Sequence, residues 1–141
     1  MRLKIESLTV VFYLCIVKIL LKTLTLKQTL SILQAHANLI SKFRRRSLSP
    51  EGMNRLATKV EHFALHLPMD LACLPKSLTL LWCLRNRNQP ATLFIGVDGD
   101  AGHLKHFSSH AWIETKGVTF WKSGPEFEGF NDIWRKEFPT T

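Results

Sequence analysis

A chain of 141 residues with 45% hydrophobic and 21% charged side chains can bury a core, which excludes wholesale disorder, and it holds no repeat or low-complexity tract. The net charge of +8 is uneven: residues 1–60 carry 11 Lys/Arg against Glu6 and Glu51, and residues 61–141 carry 8 against 9 acids. Cys15, Cys73 and Cys83 form no CxxC pair and no zinc-finger spacing, which argues against a disulfide framework and fits a reducing, cytoplasmic setting.

The first apolar run, Leu8–Leu21, is interrupted by Lys18 and followed by Lys22, and it is shorter than the roughly 20 residues of a membrane span. A secretory signal would need cleavage near Ala35-His36-Ala37, but Lys18, Lys22 and Lys27 precede that point. The run is expected to be a helix, Val10–Leu21, buried or grazing a membrane surface. Thr25 and Gln28 have capping-box spacing, and Leu26, Leu30, Leu33, Ala37 and Ile40 recur at helical intervals toward Arg44-Arg45-Arg46. That basic run has no interleaved aromatics and no recognisable module, so nucleic acid is not expected as a partner. Ser49 as N-cap, Pro50 and Glu51 open a third helix with an apolar stripe from Met53 through Leu56, Ala57, Val60, Phe63 and Ala64 to Leu67.

A fourth helix is expected over Leu74–Arg87. Proline is tolerated only in a first turn, so Pro75 puts Cys73 at the helix N-terminus. After Pro90 the pattern changes to strands: Ala91–Val97, a turn at Asp98-Gly99-Asp100-Ala101-Gly102, then His106–Thr115 and Val118–Ser123 joined at Lys116-Gly117. The tail offers Phe127, Phe130, Ile133, Trp134 and Phe138 for packing, without a clear period. The whole reads as one α+β domain over residues 1–141, in which a helical part (1–67) packs on a small antiparallel sheet in 68–141.

Cys73 has the setting of a nucleophile, because free N–H groups at a helix start stabilise a thiolate and can hold an oxyanion. Cys15 and Cys83 lie within apolar helical runs, where thiols are ordinarily packing. Of six histidines, His36, His62 and His66 fall on the early helices, and His103 and His106 lie in or near a loop. His110 opens the strand Ala111-Trp112-Ile113, with Trp112 and Glu114 on its own face, as a shielded base requires. A cysteine at a helix start followed by a strand histidine is the layout of transglutaminase-like and papain-like thiol enzymes.

Cys73-Leu74-Pro75-Lys76-Ser77-Leu78-Thr79-Leu80 with Leu84-Arg85, then Pro90 to Val97, then His110-Ala111-Trp112-Ile113-Glu114 and Gly117 resemble the leader peptidases of lasso-peptide biosynthesis, the peptidase half of the B protein. The resemblance spans about residues 68–123. It implies a transglutaminase-like cysteine peptidase core that cuts a ribosomally made precursor peptide between leader and core, with Cys73 as nucleophile and His110 as base. It also implies a small leader-binding recognition protein and an asparagine-synthetase-like cyclase as partners; the thiol chemistry itself needs no metal or organic cofactor. An acyltransferase or amidase using the same pair, and a non-catalytic peptide-binding scaffold, are the alternatives.

The family's triad ends in a carboxylate, expected across the hairpin from His110, where this chain has Lys122 or Ser123. Glu114 is about 13 Å along the same strand. The substitutes are Glu126, Asn131, Asp132 or a backbone carbonyl, and the departure implies a slow or partner-dependent enzyme.

Overall fold

The computed structural model describes residues 2–43, 47–98, 109–122 and 130–140. Four helices come first: α1 (Arg2–Thr23), α2 (Leu26–Ser41), α3 (Pro50–His66) and α4 (Cys73–Arg85). Strands β1 (Ala91–Asp98), β2 (Ser109–Thr115), β3 (Val118–Phe120) and β4 (Phe130–Phe138) form one antiparallel sheet in the order β3-β2-β1-β4. This is the expected α+β arrangement.

The helix starts follow their local chemistry. Thr25 and Gln28 close a reciprocal capping box on α2, and the Ser49 hydroxyl accepts the Gly52 N–H, with Pro50 in the first turn of α3. α1 begins eight residues earlier than its apolar run suggests. Its leading turns are held by Glu6, which pairs with Lys59 of α3 and with Arg87 beyond α4, at 2.9 Å for the latter.

One apolar cluster joins the layers. It draws Val10, Leu14 and Val17 from α1, Leu30 and Leu33 from α2, and Met53, Leu56 and Val60 from α3. The buried face of α4 and Leu93, Ile113, Phe120 and Phe138 of the sheet complete it. Each such side chain contributes about 1.5–3 kcal/mol on burial. Polar links set the angles: the Tyr13 ring stacks on Trp82 at 3.8 Å, Trp82 Nε1 donates to His36 Nδ1 at 3.0 Å, and Asn86 Nδ2 donates to the Tyr13 hydroxyl at 2.8 Å. Buried Arg85 donates to the carbonyls of Gln89 (3.2 Å) and Phe138 (3.3 Å), tying the end of α4 to the end of β4.

The sheet departs from expectation in two places. β3 stops at Phe120 rather than Ser123, because Trp121 takes a left-handed φ of 65° that ends the ladder. The tail forms an edge strand, β4, paired along the whole of β1 with a register shift between Ile95 and Gly96. The turn expected after Asp98, His103, His106, Ser123, Glu126 and the Arg44-Arg45-Arg46 run lie outside the described residues.

Candidate active site

Cys73 is the first residue of α4, half-buried, and Ala72 before it supplies no side-chain cap. α2 and α3 spend capping side chains on their first-turn N–H groups; α4 leaves its own free of one. Pro75 occupies the first turn, where its missing N–H costs nothing. Two contacts brace this corner. Lys18 of α1 donates to the Asp70 carbonyl, three residues before the cysteine. Lys76 Nζ reaches both Glu61 oxygens of α3, at 3.0 and 2.9 Å, and lies 5.7 Å from the centre of the Trp121 ring.

His110 is the second residue of β2, half-buried, pairing with Gly96 of β1. Its ring stacks beside Trp112 at 6.2 Å, and Trp112, fully buried, stacks in turn on Phe94 at 5.4 Å with the planes 1° apart. The histidine thus has an aromatic wall on one side. Its Nε2 is hydrogen-bonded to the backbone carbonyl of Trp121. A carbonyl can only accept, so Nε2 carries a proton in this contact. The left-handed turn at Trp121 that ends β3 presents this carbonyl to the imidazole.

The elements carrying the two residues meet at β2. Ser77, buried and four residues (about 6 Å) along α4 from Cys73, donates to the carbonyl of Ala111 at 3.0 Å, next in sequence to His110. Alternation puts Ile113 in the core with α4, and His110 and Trp112 on the other sheet face.

Of the two positions expected to face His110, Ser123 lies outside the described residues, and Lys122 sets its ammonium 4.4 Å from the centre of the Trp112 ring. Glu114 pairs with Thr92 and Thr119, four residues along the strand from His110. Asn131 and Asp132 belong to β4. Asp132 pairs with Gly96 from the side opposite His110, two strand spacings from it, about 9–10 Å. Of the substitutes expected for the carboxylate, a backbone carbonyl, that of Trp121, is bonded to His110, though no residue type marks which carbonyl it is.

The remaining thiols and histidines sit elsewhere. Cys83 is buried, and loss of solvation pushes its thiol up to about 12 against the charge of Arg87, so it stays protonated. Cys15 is half-buried on α1, rather than sealed in packing. His36 accepts the Trp82 indole proton, and His66 Nδ1 donates to the His62 carbonyl at 2.6 Å. Among the described residues no group of three or more His, Cys, Asp or Glu side chains could hold a metal ion. An open cleft of about 470 Å³ lies beside Trp121, between it and Phe120 on one side and Ala57, Glu61, His62 and Leu65 of α3 on the other.

No curated protein and no solved structure matches the chain. The profile of the transglutaminase-like superfamily matches residues 17–135, from the middle of α1 into β4. That superfamily includes cysteine peptidases and acyltransferases. With four-fifths of its length inside that match and with this order of helices and strands, the chain belongs to the transglutaminase-like superfamily.

Proposed function

We propose that the chain is a cysteine peptidase that removes the leader from a ribosomally made lasso-peptide precursor, with Cys73 as nucleophile and His110 as base. The observation that carries this reading is the bond from His110 Nε2–H to the Trp121 carbonyl. It fixes the tautomer in which Nδ1 can take a proton, which is the service a thiol nucleophile needs. A free helix start at Cys73 supports it, since N–H groups there suit both a thiolate and an oxyanion.

The Cys73 proton passes to His110 Nδ1 as the sulfur adds to the carbonyl carbon at the leader–core junction. The first-turn N–H groups of α4 receive the developing negative oxygen. Collapse breaks the C–N bond, and imidazolium returns its proton to the departing core amine. Water then gives a proton to Nδ1 while its oxygen displaces sulfur from the leader thioester, and the proton goes back to the thiolate. The cleft beside Trp121, whose carbonyl holds His110, offers an extended peptide the apolar surfaces of Ala57, Leu65, Phe120 and Trp121.

The proposed partners are the precursor, a leader-binding recognition protein and an asparagine-synthetase-like cyclase. Purified chain, recognition protein and precursor peptide should release core peptide, detected by mass spectrometry, and Cys73→Ala should abolish release. Undiminished cleavage by that variant ends the proposal.

A further inference from the structure

Eight large apolar side chains stand clear of the body among the described residues, and six of them lie on or just after the first two helices: Leu8, Phe12, Ile19, Ile32, Leu39 and Phe43. On α1 the pattern is regular. Leu8, Phe12 and Ile19 fall at i, i+4 and i+11, with half-buried Cys15 at i+7, so they share one face. The opposite face carries Val10, Leu14 and Val17, all fully buried. A helix apolar on both sides is built to be covered on both sides. In this fold the protein covers one of them, leaving Phe12 58% and Ile19 56% exposed, and Phe43 beyond α2 82% exposed.

The charge around this face names what suits it. From residue 7 to residue 50 the sequence has seven Lys/Arg and no Asp or Glu. Lys22, Lys27 and Lys42 are exposed at the ends of the two helices. A second copy would set two such basic surfaces against each other, which Coulomb repulsion opposes. An anionic lipid surface satisfies both features at once, taking apolar side chains below its headgroups and ammonium groups among its phosphates. No helix among the described residues is long and apolar enough to cross a membrane.

We propose that the outer face of α1 seats the protein on an anionic lipid surface, with α1 lying in the interface. This docking does not depend on the peptidase reading.

Flotation of the full chain with vesicles tests it. Vesicles of phosphatidylcholine with about one-third phosphatidylglycerol should bind the protein at least about tenfold more tightly than phosphatidylcholine alone, and added salt should weaken the binding. Phe12→Ser with Ile19→Ser removes apolar side chains that are more than half exposed, and should lower binding at least about tenfold. Lys22→Glu with Lys27→Glu, which leaves the apolar stripe intact, should do the same. Circular dichroism and thermal melting check that each variant stays folded. Failure to bind anionic vesicles overturns the proposal, as does unchanged binding by both variants. A dimer abolished by the Phe12/Ile19 pair, with no vesicle binding, overturns it in favour of a second copy.

Discussion

His110 owes its orientation to a main-chain oxygen, and that has consequences for the residues around it. In the proposed reaction Nε2 donates to the Trp121 carbonyl and Nδ1 takes the thiol proton, a scheme that gives Asp132, two strand spacings away along the sheet, no part. Asp132→Asn should therefore change kcat/KM of leader removal less than about tenfold, whereas His110→Ala should remove activity. Lys122 is different, since its ammonium rests on the same Trp112 ring that walls the histidine. In the proposed reaction a positive charge there opposes the positive charge that develops on His110 as sulfur attacks. Lys122→Asp reverses the sign and puts a carboxylate at one of the two positions where the family resemblance leads one to expect it. Turnover in single-turnover cleavage assays should rise about tenfold or more. The thiols offer a check that needs no substrate. With the Cys83 thiol raised from about 9.0 to about 12 by burial, its thiolate fraction near neutral pH falls about a thousandfold. Iodoacetamide should label it only after denaturation, while half-buried Cys73 and Cys15 react in the folded protein, as peptide mass mapping would show.

At the scale of the elements, the joint between α4 and β2 rests on Ser77. Its hydroxyl is fully buried and bonded to the Ala111 carbonyl. Ser77→Ala leaves that carbonyl without its partner, at a cost of about 1–3 kcal/mol. Thr25→Ala strips the capping box of α2, far from the sheet, for about 1 kcal/mol. Both should lower the urea midpoint, but only Ser77→Ala should also depress cleavage, since it alone loosens the elements carrying Cys73 and His110. Equal loss of activity in the two variants would show that general stability, and not this joint, governs the reaction. Caps and prolines made these elements legible beforehand: Ser49-Pro50 and Pro75 set the starts of α3 and α4 within a residue, because their constraints are local. β4 was not legible for a reason equally physical. The register shift opposite Ile95 and Gly96 leaves Ile133 without a partner, so the alternation that would announce a strand breaks in its middle. The early turns of α1 hid for another reason. Arg2, Lys4 and Glu6 show no apolar period, and only distant Lys59 and Arg87 explain why that stretch is ordered.

Across the whole molecule, Glu6 joins the start of α1 to α3 and to the segment after α4. Burial alone would raise its carboxyl. The hydrogen bond and charge of Lys59, followed by the charges of Arg87 and Arg55, outweigh that and hold it below its ordinary 4.5. A group depressed in the folded state binds its proton more readily when unfolded. It therefore adds stability that is complete above about pH 4.5 and drains away as pH falls through the folded value. The pair is one-third exposed at Glu6, so solvent screening limits the contribution to about 1 kcal/mol. Glu6→Gln should lower the urea midpoint at pH 7, and the gap to the parent protein should close as pH falls through the lowered value of Glu6, below which both side chains are neutral. Exposed Glu51, also held below its ordinary value, first by its own backbone N–H and then by Ser49, keeps some acid sensitivity in both proteins, so the difference between them is the quantity to read. A gap that stays constant with pH would mean that Glu6 acts by packing and not by charge, and that the helices are held together by the apolar cluster alone.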